Sequence, residues 1–398
     1  GTSKNLTIHQ LNALTIQNQQ WMRNTTPFYG IGWQTCMLDY DFDGIWTDHW
    51  PVNTANTLQA NASAVSTANA TTYIQSMRSA GFNLMRLSLE NCSPRLTQCL
   101  NNTELLINQQ TSASVDEVLI QAKRNEMAVV FGIFGFEPWY VGVTNGKVSP
   151  TLAQYLDYVI ARYGAYVDVW ELANESTPND EWITAVSEYL KAHDPYHHSV
   201  TISWERPDLA AIDSTQLHYY DSEPVSEITS RFLPTILQAK PWQKPVLIGE
   251  SGNATVNSDP ESLIRFTHKN WLSIFTNTPI IWWDQPDRLY YHPASANIYL
   301  GPAEKKAVSI AQTVINKYLN SPTQRQFVLA DATQQPIWLG IETEQQVLLY
   351  AANPFSTQYA THYDLIPPNL KLIQLILPQT GQVIPIQQLR TVPELITP

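Results

Sequence analysis

Eight short, almost continuously apolar runs, helical periodicity between several of them, and a C-terminal stretch of strand-like segments without a helical window predict an α/β fold. The class expected is a (β/α)8 TIM barrel followed by a small C-terminal antiparallel β-sandwich. The runs are Pro27–Gln34, Asn83–Leu89, Ala128–Phe134, Val167–Glu171, His198–Trp204, Thr215–Tyr220, Pro245–Glu250 and Pro279–Asp284. Strands buried on both faces read in this way, without alternation. Between them, Ala68–Ala80 carries Tyr73, Ile74 and Met77 at helical spacing, and Val115–Glu126 carries Val115, Val118, Leu119 and Ala122. Glu181–His193 and Glu304–Leu319 repeat the period. Only the link from the fifth run to the sixth is too short for a crossover helix. Past Leu319, Phe327–Ala332, Pro336–Glu342, Gln346–Ala352, Lys371–Leu377 and Gln382–Gln388 alternate with turns. The expected domains are therefore 1–322, a catalytic barrel with an N-terminal hairpin, and 323–398, the sandwich. Leu6–Ile16 either closes the barrel floor or joins the second domain.

Composition narrows the partner. The 398 residues carry 23 Lys+Arg against 35 Asp+Glu, a net charge of −12, with only 15% charged residues, 43% hydrophobic and 11% aromatic. No basic surface is available for a phosphate backbone, so nucleic acid is not expected. The aromatic and apolar content opposes disorder, and no apolar run approaches the ~18 residues of a membrane span. Aromatic rings and neutral amides suit neutral polyols, and a monomer is expected. Cys92 and Cys99 bracket a short loop that would close as a disulfide in an oxidising compartment, leaving Cys36 free or competing. The absence of Cys-x-x-Cys or His/Cys ligand spacing argues against a redox or zinc site. With the low charge, the cysteine loop leads to an expectation of secretion. Asp39-Tyr-Asp41-Phe-Asp43-Gly44 begins like a calcium loop, but its twelfth position is Trp50 where a bidentate Glu belongs. An acidic loop is expected there, with no metal and no cofactor.

Barrel active sites sit where strands end at the C-terminal face. The fourth run ends Trp170-Glu171-Leu172-Ala173-Asn174-Glu175 and the seventh ends Leu247-Ile248-Gly249-Glu250-Ser251-Gly252. Two glutamates at two strand ends match the needs of glycoside hydrolysis, in which one carboxyl group protonates the leaving oxygen and the other attacks or activates water. Glu171 is expected to pair with a cation deeper in the barrel.

Asn174-Glu175 with Glu250 resembles clan A of the retaining glycoside hydrolases, and most closely glycoside hydrolase family 5, the cellulase-like family. Arg86 on the second run, His218-Tyr219-Tyr220 on the sixth and Trp282-Trp283-Asp284 on the eighth fit the family's order. One departure stands after the third run, where Gly135-Phe136-Glu137-Pro138-Trp139 replaces the histidine of many members. The resemblance implies a retaining β-glycosidase acting on an oligo- or polysaccharide, with Glu175 as acid/base and Glu250 as nucleophile. Arg86 and Tyr220 would hold Glu250 ionised and aimed, Asn174 would bond the sugar 2-hydroxyl, and His218 would orient Glu175 or Tyr220. Trp283, or its neighbour Trp282, would floor the sugar. The alternative is a catalytically inactive carbohydrate-binding barrel.

Overall fold

The computed structural model describes residues 13–34, 67–88, 97–100, 104–107, 109–134, 142–253, 261–284, 298–329, 338–351, 373–377 and 382–385. Its central sheet has eight strands: β1 (Ile31–Gln34), β2 (Leu84–Ser88), β3 (Ala128–Phe134), β4 (Val169–Ala173), β5 (Ser199–Thr201), β6 (Thr215–Tyr220), β7 (Val246–Gly252) and β8 (Ile280–Trp283). They lie in the order β5-β4-β3-β2-β1-β8-β7-β6. Neighbours pair in parallel, for example Arg86 opposite Val130 and Val130 opposite Val169. Among the described residues seven α-helices follow in sequence: α1 (Thr67–Ser79), α2 (Gln109–Arg124), α3 (Pro150–Tyr163), α4 (Asp180–His193), α5 (Ile228–Ala239), α6 (Ser262–Phe275) and α7 (Pro302–Tyr318). Strand and helix alternate throughout, save for the helix-free link from β5 to β6. This is the (β/α)8 TIM barrel.

Local chemistry explains the elements. Every residue of β3, Ala-Val-Val-Phe-Gly-Ile-Phe, is buried, as a strand covered on both faces requires. Ser149 caps α3 by accepting the Leu152 N–H, with Pro150 at the first helical position, where its missing donor costs nothing. Asn179 caps α4, whose first turn carries Asp180 and Glu181 and whose last carries Lys191 and His193, each charge complementing the helix dipole.

The chain forms two compact units, one of Gly1–Ile16, Gly32–Ser79 and Asn83–His218, the other of Gln17–Ile31, Ala80–Phe82 and Tyr219–Pro398. The division falls within β6, after His218. In the first unit, Asp168 accepts the N–H groups of both Leu14 and Val129 at 2.9 Å, tying the N-terminal segment to the start of β3 and β4. That is the floor end of the strands. In the second, the Trp21 indole donates to the Val246 carbonyl at the start of β7 (3.0 Å), and Gln20 bonds Gln326 (3.3 Å).

The C-terminal sheet also belongs to the second unit. Its strands are β9 (Gln324–Leu329), β10 (Trp338–Thr343), β11 (Val347–Ala351), β12 (Ile373–Leu377) and β13 (Gln382–Pro385), in that order. Three pairs are antiparallel, but β11 and β12 run parallel, which corrects the all-antiparallel expectation. A parallel pair needs a long crossover, and residues 352–372 supply the length. The sheet is anchored by Tyr350, stacked on Trp271 and Phe275 of α6 at 6.1 and 5.5 Å and hydrogen-bonded to His268. No described helix is long and apolar enough to cross a membrane.

Candidate active site

The first unit holds a cluster around Glu175. β4 ends at Ala173, so Asn174 and Glu175 are the first two residues beyond it. Glu175 has φ +47°, in the left-handed region that costs a non-glycine residue about 1–2 kcal/mol. The turn is held from the end of β5: the Glu175 N–H donates to Ser203 Oγ, and the Ser176 N–H to the Ser203 carbonyl, both at 3.2 Å. The Glu175 side chain is 23% exposed, and Oε1 lies 2.8 Å from Nδ1 of the buried His218 side chain. Gln216, two residues earlier on β6, donates through Nε2 to Glu171 Oε1 (2.7 Å) and reaches His218 Nε2 (3.5 Å). With its ring proton on Nδ1, His218 donates to Glu175.

Arg86 and Glu171 lie alongside, both fully buried. The guanidinium grips Glu171 in a fork, Nε to Oε2 at 2.6 Å and Nη2 to Oε1 at 2.7 Å. It also donates to Gln34 Oε1 and to Asn174 Oδ1, the latter at 2.6 Å. Ser203 Oγ adds a further bond to Glu171, at 3.0 Å. A buried ion pair survives its desolvation only when its other donors and acceptors are filled, as they are here. Within this unit the partners of Arg86 are Glu171, Gln34 and Asn174. Glu171 has the cation expected for it.

The second unit holds a cluster around Glu250. This residue lies inside β7, two positions before its end at Gly252, and is 3% exposed. The hydroxyl of Tyr220, the last residue of β6, donates to its Oε2. The Trp283 ring lies 6.1 Å from that of Tyr220. Trp282 points the other way, as strand alternation demands: it is buried against Phe266 and donates to Asn270 Oδ1 at 2.9 Å. Of the pair, Trp283 is the one beside the carboxylate cluster. Just past β7, Asn253 is held by Ser262 (2.8 Å) and Arg265 (3.3 Å), and Arg265 donates to the Glu223 carbonyl at 3.2 Å. Lys269 of α6 pairs with buried Glu223 at 3.1 Å and lies over the Tyr219 ring. Burial pushes its amine below the ordinary lysine range, against the pull of Glu223.

Cys36, Cys92, the 39–44 loop and residues 135–139 lie outside the described residues, and with them the disulfide and calcium-loop readings. Glu205 is exposed. Ser203, Gln216 and Gln34 are not singled out by the sequence. Their roles rest on contacts between strands, which residue spacing does not encode.

Residues 47–287 match the family model Cellulase (glycosyl hydrolase family 5). No curated protein sequence matches the chain. Among solved structures, an endo-1,4-beta-mannanase from Rhizomucor miehei aligns at TM-score 0.55 and 14% identity, over 76% of this chain and 99% of the other. A family 5 mannosidase from the same organism, solved in complex with mannosyl-fructose, gives 0.54 and 14%, over 78% and 100%. A family 5 glycoside hydrolase from Bacteroides vulgatus gives 0.57 and 11%, over 87% and 82%. At these identities the likeness to solved structures is one of fold, while the family model spans more than half of the sequence. The chain is a glycoside hydrolase and belongs to glycoside hydrolase family 5.

Proposed function

We propose that this enzyme hydrolyses a neutral β-linked glycan with retention of anomeric configuration, Glu175 serving as acid/base and Glu250 as nucleophile. The observation that carries the reading is β6. Alternate residues of this one strand, His218 and Tyr220, hold the two carboxylates through different chemistry.

In the first step a Glu250 oxygen attacks the anomeric carbon, the glycosidic C–O bond breaks, and the proton of Glu175 goes to the departing oxygen. The product is a glycosyl ester on Glu250. In the second step Glu175 takes a proton from water, the hydroxide oxygen attacks the same carbon, and the ester bond returns its electrons to Glu250. The Tyr220 hydroxyl fixes which carboxylate oxygen is aimed. The Asn174 amide oxygen is committed to Arg86, so its Nδ2 hydrogens are the donors for a sugar hydroxyl. Trp283 offers its face to the apolar side of a pyranose beside the nucleophile. These roles need no metal or cofactor.

The mannan-active names of the structural neighbours make β-mannan the first substrate to assay, followed by β-glucan and xylan. Proton NMR of the first-formed product is expected to show the β-anomer. Glu175→Ala and Glu250→Ala are each expected to lower hydrolysis of the natural glycan by about three orders of magnitude or more. An α-anomer as first product, or full activity in either variant, contradicts the assignment.

A further inference from the structure

α6 is buried along most of its length, and the buried residues include two cations, Arg265 at 2% and Lys269 at 1% exposure. The C-terminal sheet reaches this helix at His268, which meets the Tyr350 hydroxyl and bonds Thr229 at 2.9 Å. Burying a cation is costly, and apolar residues of similar volume often serve stability as well. What an apolar side chain cannot do is grip backbone carbonyls and amide oxygens. That is how both cations are used.

Arg265 and Lys269 stand one turn apart on one face of the helix. Lys269 donates to the Asp221 carbonyl (3.4 Å) and the Glu223 carboxylate (3.1 Å), and lies over the Tyr219 ring, 4.8 Å from its centre. Tyr219 and Asp221 flank Tyr220, whose hydroxyl meets Glu250. Arg265, its charge met by Glu261 at 3.5 Å, donates to the Glu223 carbonyl (3.2 Å) and to Asn253 Oδ1 (3.3 Å). Asn253 is the first residue beyond β7, close in the chain to Glu250. One turn of α6 therefore holds the chain on both sides of the Tyr220–Glu250 hydrogen bond. β7 has need of such a hold. Ile248 pairs with Ile280 of β8 and Ser251 with Trp282, three steps against two, so Glu250 sits in a bulge that the ladder does not fix.

We propose that Arg265 and Lys269 are positioning residues for the nucleophile, a clamp on the ends of β6 and β7 that keeps the Tyr220 hydroxyl and the Glu250 carboxylate aligned. The inference rests on the role proposed above for Glu250. It gives α6, and the C-terminal sheet anchored to it, a part in the chemistry without contact with substrate. Loss of the clamp leaves both side chains present but misaimed, and a misplacement of about 1 Å costs on the order of 100-fold in rate.

The test uses Lys269→Met/Glu223→Gln, which removes the cation and its carboxylate together and so orphans neither. Its kcat/KM on an activated aryl β-glycoside is compared with wild type, each with and without Tyr220→Phe. The Lys269/Glu223 variant is expected to lose about 30-fold, while oligosaccharide binding, measured on the Glu250→Gln background, changes less than about two-fold. Tyr220→Phe slows the wild-type enzyme, but should cost the clamp variant less than about three-fold, because the bond it removes is already out of line. Asn253→Ala, which takes away the hold of Arg265 on β7 without changing any charge, should show the same loss of coupling after a drop of about ten-fold. It decides the matter alone if the charge variant does not fold. Wild-type rates in the folded clamp variants, or a Tyr220→Phe penalty undiminished in them, overturn the clamp. Full activity in Glu250→Ala instead removes the role the clamp serves, so the two failures remain distinct.

Discussion

Glu175 and Glu250 are held by alternate positions of one strand, yet their surroundings are opposite in kind. Glu175 sits past the end of β4 on a left-handed residue, partly open, beside an imidazole. Glu250 sits inside β7, buried, beside a phenol. The first arrangement suits a group that exchanges protons with a leaving oxygen and then with water. The second suits a group whose oxygen must stay in place while a covalent bond forms.

Each unit also holds a buried cation paired with a carboxylate, and the two pairs differ in kind. Arg86 cannot shed its proton and forms a fork with Glu171, which in turn accepts from Ser203 and Gln216. Lys269 is a point charge whose amine burial has weakened, paired mainly with Glu223. The largest expected effects separate these designs. Arg86→Met and Lys269→Met each orphan a buried carboxylate, at about 3–5 kcal/mol of stability by chemical denaturation. Adding Glu223→Gln to Lys269→Met should restore part of the loss, because the carboxylate's other side-chain partner is the Tyr219 hydroxyl, at 3.5 Å, which an amide oxygen can still accept from. Adding Glu171→Gln to Arg86→Met should restore less, since the buried amide oxygens of Gln34 and Asn174 still lack the guanidinium that donated to them. Equal recovery in both double variants would erase the distinction.

A smaller effect separates the partners on β6. A hydrogen bond to a charged group is worth about 1.5–3 kcal/mol, or roughly 10–150-fold in rate. Tyr220→Phe should slow activated aryl glycosides and oligosaccharides alike, because the nucleophile's aim matters for both. His218→Phe should slow oligosaccharides more, because a good leaving group asks little of the acid. Identical leaving-group dependence in the two variants would show that the two partners do the same job.

Much of this arrangement is legible in the sequence. Runs such as Ala128–Phe134 announce their burial, and Glu175, Glu250, His218 and Tyr220 stand at or near strand ends where barrel chemistry resides. Two helices are harder to see. α6 buries Arg265, His268, Lys269, Asn270 and Ser273 with its apolar residues, which blurs the amphipathic period, and α5 carries Pro234 in its interior. α3, absent from the sequence expectations, does carry local signals: the Ser149 cap, Pro150, and Leu152, Tyr155, Leu156 and Val159 at helical spacing. The parallel β11–β12 pair depends on a crossover that leaves no local signature. Gln34, Ser203 and Gln216 gain meaning only from side chains on other strands.

The contrast between the carboxylates is mechanistic only if they perform different halves of one double displacement. Azide rescue with an activated β-glycoside is the sharpest probe of that division. Glu250→Ala is expected to yield the α-glycosyl azide, azide having attacked in place of the missing nucleophile. Glu175→Ala is expected to yield the β-glycosyl azide, azide having intercepted the ester on Glu250 without needing a general base. The reverse pairing of products, or rescue of neither variant, would show the roles to be wrongly assigned.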